Sequence, residues 1–522
     1  MTSPSPAVAA PGAAPAHSQA RPMTVREALS SPALLRTEVL AGLVVALAMI
    51  PEVLSFSALI GVSPAVGLFT AAIMAITLSV VGGRPAMVTA AAGATALVVA
   101  PVYQEHEAAA GNGLDYLVAT VLLAGVLQVV LAALGVAKLM RFIPRSVMTG
   151  FVNALAILIF TAQMPHLLGP EASWMVWPLC AAGIALLIIV PRITTAIPAP
   201  LITIIVLTLF VVIARWDVAD VADQGELPQS LPDLFIPHVP LTLATLQEIF
   251  PYALGMALVG LMETLLTAKL VDDVTDTHSS KPREAFGQGI GNIVAALFGG
   301  QGGCAMVGQT VVSVKDARAR SRVSTFLAGT FLLILVVLAG DIIGRIPMVA
   351  LAAVMIMVCV STVDWHSVRP STLRRMPIPE TLVMLVTVIA TVLTHNLAVG
   401  VGLGVLTAIV LFARRVAHLV RIEPVWETDI DGDGTVDVRR YRVSGQLFFA
   451  SSNDLVYQFD YAGDPATVII DLTDADVWDA STVASLDAVQ GKYRDRGKEA
   501  RIIGLDGASA ERLERLSGRL GA

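Results

Sequence analysis

Acidic side chains are rare in the apolar stretches of this chain, which makes the few that occur there informative. Glu52 follows Ala46-Leu47 and Pro51, and Glu263 follows Ala257-Leu258 and Met262, each near the middle of a long apolar run. An ionised carboxylate at that depth of a bilayer costs several kcal/mol and marks a transport pathway or a proton relay. Glu38, at the start of the first apolar run, is a third candidate for proton coupling. Downstream of the two central acids stand two related stretches, Gly82-Gly83-Arg84-Pro85-Ala86-Met87-Val88-Thr89 and Gly299-Gly300-Gln301-Gly302-Gly303-Cys304-Ala305-Met306-Val307-Gly308-Gln309-Thr310. Each joins a double glycine to Ala-Met-Val. A short helix that begins inside the membrane turns bare N–H groups and the positive end of its dipole toward whatever sits there, which is the chemistry of anion binding. The expected helix starts are Thr89-Ala90-Ala91 and Gly308-Gln309-Thr310, where Thr89, Gln309 and Thr310 add side-chain donors and Ala90, Ala91 and Gly308 let an oxyanion reach the backbone. Phe56, one turn past Glu52, is placed to cover the substrate. Small residues also serve close helix packing in membranes, but two related copies favour a site.

The elements that must hold these residues are membrane helices. The 522 residues are 55% hydrophobic and 14% charged, with a mean hydropathy of +0.75, a balance foreign to soluble domains of this length. Counted at about 20 residues per crossing, the chain offers fourteen segments, centred near Ala48, Ile73, Ala94, Leu123, Leu155, Leu186, Val206, Leu258, Val294, Val311, Leu333, Val354, Thr387 and Val405. Lys and Arg gather on the cytoplasmic side. With the N-terminus inside, the cytoplasmic segments take Arg21 to Arg36, Arg84, Lys138 to Arg145, Arg192, Lys269 to Arg283, Lys315 to Arg322, Arg369 to Arg375 and Arg414 to Arg421, leaving Arg215 and Arg345 outside. Both termini are therefore expected in the cytoplasm. The related stretches lie seven crossings apart, an odd number, so the halves read as inverted repeats, about 31–216 and about 245–421. Residues 1–30, rich in Pro, Ala and Ser, read as a disordered cytoplasmic tail.

After Arg421 the composition becomes that of a soluble domain. Strands at Val438 to Ala450, Ala466 to Leu472 and Glu499 to Leu505 alternate with helices at Ser452 to Tyr461, Ser481 to Arg496 and Ala508 to Leu520, which reads as a small α/β domain over 437–522. The net charge of −7 gives no reason to expect a nucleic-acid partner, and the three cysteines and eight histidines share no metal-ligand spacing. Neither a metal nor a cofactor is expected. Asp429-Ile430-Asp431-Gly432-Asp433-Gly434 opens like a calcium loop, with Asp437 ninth, but Arg440 stands where a bidentate Glu belongs, so a polar turn is the better reading.

These residues resemble the sulfate permease (SulP) anion transporters with a C-terminal STAS domain. The resemblance is carried by the acid before Ala41-Gly42, the Pro51 helix leading into Gly61, Glu263, Glu284 with Gly289-Ile290-Gly291-Asn292, and the Phe298-Gly299-Gly300 turn. In the last domain it is carried by Gly445-Gln446-Leu447-Phe448-Phe449-Ala450, Val468-Ile469-Ile470-Asp471-Leu472 and Asp479. It implies fourteen spans as two inverted seven-span repeats forming core and gate domains, a homodimer, and an anion held between the third and tenth spans. By position, Glu38 is similar to the family's acid tied to proton movement, and Thr89 and Gln309 fall at its anion-facing positions. Glu52 stands where many members have Gln, and Gln309 where animal relatives often have Arg. Ser481 matches a residue phosphorylated in anti-sigma antagonists, although Ala480 breaks the pattern.

The reading is a secondary active anion transporter and not an enzyme, in a bacterial inner membrane, with proton-coupled symport of a small dicarboxylate such as fumarate or of an oxyanion. A sodium-coupled sulfate or bicarbonate transporter, a nucleobase-proton symporter and an anion sensor signalling through the STAS domain stand as alternatives.

Overall fold

A backbone surrounded by lipid must pair its own N–H and C=O groups, so apolar runs bounded by Pro and Gly become helices. The computed structural model describes residues 22–135, 138, 143–169, 174–194, 198–225, 230–394, 396–417, 420–427, 438–452 and 455–517. They divide into two units, Met1–Gly404 and Val405–Ala522. Of the tail expected over residues 1–30, residues 1–21 lie outside the described residues, as does the acidic turn at residues 429–437, but Val25–Ser30 is not disordered: it forms a helix whose first turn is closed by a capping box between Thr24 and Glu27.

The first unit is built from α1 (Pro32–Ile60), α2 (Pro64–Val81), β1 (Thr89–Ala90), α3 (Gly93–Ala110), α4 (Gly113–Ala133), α5 (Arg145–Ala162), α6 (Val176–Ile193) and α7 (Ala199–Ala214). It continues through α8 (Leu243–Thr275), α9 (Lys281–Leu297), β2 (Cys304–Ala305), α10 (Val307–Val311), α11 (Arg322–Gly344), α12 (Met348–Thr362) and α13 (Ile378–Thr394). The unit boundary then falls within α14 (Leu397–Ala417). Eight of these helices, α1, α2, α4, α5, α6, α8, α11 and α14, are long and apolar enough to cross a membrane, and α7, α12 and α13 are shorter apolar helices. All fourteen expected centres fall inside helices, Ala94 at the second residue of α3 and Val311 at the last of α10.

Local chemistry sets the ends. Pro32 and Pro64 occupy first turns, where no N–H is missed, and Gly61 closes α1 at φ 96 with its N–H on the Ser57 carbonyl. Helices from the two halves interleave where glycines let them touch. A Cβ on Gly125 of α4 would come within 2.9 Å of the Gly289 carbonyl of α9, and one on Gly42 of α1 within 2.9 Å of Leu327 of α11. Around the Gly82-Gly83-Arg84 turn, Glu284 accepts from the N–H groups of Gly83 and Arg84 at 2.5 and 2.7 Å. Asp272 receives Arg84 at 2.9 Å and Lys281 at 2.7 Å.

One expectation about the helix starts changes. Thr89-Ala90 do not begin a helix; they form β1, which pairs antiparallel with β2, Thr89 opposite Ala305 and Ala90 opposite Cys304. The pairing feeds backbone groups that neither short helix could satisfy, so α3 waits until Gly93, behind an extended Ala92 at φ −130, ψ 149. In the second half α10 begins at Val307 and passes into a π-helical turn, Val312–Asp316.

The second unit carries a four-stranded sheet in the order β3 (Arg421–Glu427), β4 (Val438–Leu447), β5 (Thr467–Val477), β6 (Glu499–Ile503), with α15 (Ala480–Arg494) and α16 (Gly507–Leu516). β3 runs antiparallel to β4, and the other pairings are parallel. β4 is shorter than expected, and residues 449–452 turn into a short helix instead. β3 was not expected from the sequence. Val443, Val468, Ile470, Val483, Leu486 and Tyr493 fill the core. Beneath them Asp464 is buried and accepts from Tyr441, Tyr493 and Arg439, at 3.0, 2.5 and 2.7 Å. Asp479 caps α15 through the Thr482 N–H.

Candidate functional site

The paired strands bring the two halves to one place. Beyond the ladder itself, the Met306 N–H donates to the Val88 carbonyl at 2.9 Å, and the Val88 N–H donates to the Thr310 hydroxyl at 3.0 Å. A Cβ on Gly303 would collide with the Ala90 carbonyl, so only glycine permits this crossing. Behind β2 lies a buried polar brace. Gln288 donates to the Gly303 carbonyl at 2.7 Å, Asn292 accepts from the Gly303 N–H at 2.9 Å and donates to Gln128 at 2.8 Å, and Thr264 accepts from the Ala305 N–H at 3.2 Å. Each group is satisfied by a neighbour, which fixes β2 in one position.

In front of the strands is a cavity of about 370 Å³ lined by α1, α3, α5, α8, α10 and α12. Its polar wall consists of Glu52, Glu263, Thr267, Gln309, Ser361 and Thr362, and Phe56, Phe151, Leu155 and Ile159 supply apolar surface. Among the described residues, no Lys, Arg or His lines it. Phe56 packs against the start of α3, where a Cβ on Gly93 would meet its ring at 2.7 Å. A Cβ on Gly308 would meet nothing within 4 Å, so its openness serves the cavity rather than packing.

The expected site residues thus separate. Phe56, Gly308, Gln309, Glu52 and Glu263 line the cavity together, joined by Ala92, Gly93 and Ala94 at the start of α3. Thr89, Ala90, Ala91 and Thr310 are buried in the strand crossing behind it and are absent from its lining. Glu38 is elsewhere: its carboxylate, 2% exposed, accepts from the N–H groups of Arg320, Ser321 and Ser324 at 2.8, 3.2 and 3.1 Å and from the Ser321 hydroxyl at 2.8 Å. It caps the start of α11. A wider cavity of about 860 Å³, bounded by Thr37, Val44, Pro191, Asp316 and Arg318, shares α1 with the first but gathers none of the central acids.

Two polar details were not visible in the sequence. The Cys304 thiol donates to Glu263 Oε2 at 3.0 Å. The Gln309 Oε1 is buried with no partner. An anion entering this cavity meets the end of α3, the turn at Gly308 and the Gln309 side chain, with two carboxylates alongside.

The membrane unit matches the model of the sulfate permease family over residues 35–182 and 170–387, and the second unit matches the STAS domain over 429–517. The chain is 45% identical to YbaR, a candidate sulfate transporter of Bacillus subtilis, over 92% of this chain and 97% of that one. It is 24% identical to the bicarbonate transporter BicA of Picosynechococcus, over 92% and 91%. Among solved structures, the transmembrane domain of a cyanobacterial BicA superposes with a TM-score of 0.63 at 23% identity, covering 72% of this chain and 97% of that one. Murine Slc26a9 in an inward-facing state superposes at 0.79 and 15% identity, covering 92% and 87%. These likenesses share the fold.

Proposed function

The chain belongs to the sulfate permease family of membrane anion transporters and ends in a STAS domain, and from that premise we propose that it is a proton-coupled symporter of a small dicarboxylate or oxyanion working by alternating access. The observation that carries this reading is the composition of the cavity wall: two carboxylates, a neutral amide and, among the described residues, no cation. At an effective dielectric of about 20, two unit charges roughly 4 Å apart repel by about 4 kcal/mol, so an anion beside ionised Glu52 and Glu263 is strongly disfavoured. A proton on either acid removes that repulsion, and the same free energy that favours the anion then favours the proton. Glu38 is spent on α11 and is left out of the relay.

On this reading the protein sits in a bacterial inner membrane as a homodimer with fourteen crossings in two inverted halves, both termini and the STAS domain in the cytoplasm. Sulfate or bicarbonate, moved with sodium, is the second reading, favoured by the names of the relatives. The test is uptake of radiolabelled fumarate, sulfate and bicarbonate into proteoliposomes, each with and without an inward proton gradient or sodium gradient. Accumulation that follows protons supports the first reading, and accumulation that follows sodium alone replaces it with the second. Saturable binding without flux would make the protein a sensor.

A further inference from the structure

Glu263 lines the cavity from α8, and Cys304 stands behind it in β2, opposite Ala90 of β1. The thiol is buried and donates to Glu263 Oε2 at 3.0 Å. Thr264, the next residue of α8, makes a second tie to β2 by accepting from the Ala305 N–H at 3.2 Å. Among the described residues the thiol is the one hydrogen-bond donor to this carboxylate, since Thr267, one turn on, gives its hydroxyl to the Glu263 main-chain carbonyl at 2.8 Å. β2 cannot follow the carboxylate, because the N–H and C=O of Gly303 are held by Asn292 and Gln288. The donor is stationary, and the acid must come to it.

We propose that Cys304 is a positioning residue for proton coupling, whose thiol holds the Glu263 carboxylate against β2 and, as a weak donor, sets the pH range over which that acid exchanges its proton. The inference rests on the proton-symport reading above and adds which residue adjusts the acid. A donor to an ionised carboxylate favours the ionised form, and an S–H donates more weakly than an O–H. Glu38 shows the other extreme, where three N–H groups and a hydroxyl fix a carboxylate as part of the scaffold. With one weak donor, Glu263 keeps its place and still gives up little when it is neutralised. A proton from the aqueous side forms an O–H bond on the carboxylate, and the S–H···O bond passes from charge-assisted to neutral. The thiol keeps its hydrogen throughout, no bond to sulfur is made or broken, and release of the proton restores the starting pair.

The charged groups on the elements packed around Glu263 are distant or engaged, with one exception. On α3, Glu105, His106 and Glu107 sit in the last turns, where His106 meets Glu248 near the start of α8 at 3.2 Å. α4 carries Asp115 in its first turn, against His238. At the start of α9, Lys281 is paired with Asp272, Glu284 accepts from the N–H groups of Gly83 and Arg84, and Arg283 donates to the carbonyls of Val80 and Val81. Lys315 and Asp316 lie in the π-helical turn beyond α10, and Lys269 and Asp273 of α8 itself are exposed, all outside this cavity's lining. The exception is Glu52 of α1, which shares the cavity wall. The two acids titrate as a coupled pair, so the effect of Cys304 is isolated by comparing backgrounds with and without Glu263.

The experiment is equilibrium binding of radiolabelled fumarate, sulfate and bicarbonate to the purified full chain across a range of pH, each variant taken relative to the wild type at the same pH so that the probe's own ionisation cancels. Where a proton on the acid is required, affinity declines on the alkaline side. In Cys304→Ala the donor is gone, the ionised acid is less favoured, and the decline moves up by about half a pH unit. In Cys304→Ser a stronger O–H donor takes its place, and the decline moves down by about as much. Both side chains are smaller than cysteine, so lost packing would move the two variants the same way. In a Glu263→Gln background neither substitution moves the decline. Infrared spectra give a second readout that needs no anion: the S–H stretching band that Cys304→Ser removes shifts as the wild type is acidified and stays still in Glu263→Gln. Shifts of like sign in the two variants, no shift in either, shifts that persist in the Glu263→Gln background, or an S–H band indifferent to pH in the wild type each overturn the role of Cys304 while proton coupling stands. If wild-type binding and accumulation of all three probes ignore pH, the proton-symport reading falls and takes this role with it.

Discussion

Glu38 and the pair Glu52 and Glu263 are all carboxylates removed from bulk water in the same unit, yet they are treated in opposite ways. Around Glu38 three N–H groups and a hydroxyl converge, so its charge completes the first turn of α11, where helix N–H groups otherwise go unpaired. Glu263 has one thiol, Glu52 lines the same cavity, and both face open space. A saturated carboxylate holds two elements in register; an undersupplied one is poised to change partner. Asp464 in the second unit, held by two tyrosines and an arginine, belongs with Glu38.

Replacing members of each class tests the division. The largest effect is expected from Glu38→Ala, which strands three buried N–H groups. At about 1 kcal/mol or more apiece it lowers the stability of the detergent-solubilised protein by about 3 kcal/mol, read from thermal unfolding, while the surviving protein keeps its proton dependence. A changed proton count with unchanged stability would move Glu38 into the other class. Glu263→Gln reverses the signature: unfolding is nearly unchanged, proton-driven accumulation falls about 100-fold, in the range of a coupling energy of 1–3 kcal/mol, and counterflow without a gradient persists. Gly308→Val comes next. Because a Cβ there meets nothing, stability holds while the filled cavity loses about tenfold in anion affinity, a cost of about 1.4 kcal/mol measurable by equilibrium binding. Smallest is Tyr493→Phe, which removes one of the donors to Asp464 and costs about 1 kcal/mol, seen as faster hydrogen exchange in β5 and α15 with transport untouched.

The cavity's surroundings were partly legible in the sequence because a doubled Gly-Gly and Ala-Met-Val pattern has few uses in an apolar chain, and because Glu52 and Glu263 are conspicuous by cost alone. What the sequence withheld is the work of single polar residues. Gln128, Thr264, Gln288 and Cys304 sit one at a time in apolar segments, and nothing periodic says which meets which, whether Cys304 with Glu263 in the same half or Gln128 with Asn292 in the other. The assignment of Thr89-Ala90 to a helix start failed for a related reason: two residues have no visible strand pattern, and their extended form depends on a partner in the other half. Glu38 was read by family position, whereas its use depends on where α11 begins. In the second unit the alternating strands were legible, but β3 was hidden, since Arg421–Glu427 carries three charges and a central Pro424 and follows directly on the last membrane segment.

The ladder between β1 and β2 has a mechanical consequence. With Val88 also tied to Met306 and Thr310, the floor of the cavity is a single splint spanning both halves of the gene product, and neither side can slide without shearing several bonds at once. On the alternating-access reading, what opens and shuts to admit solvent is then a remaining flank such as α5, whose contribution to the cavity is apolar surface free to slip.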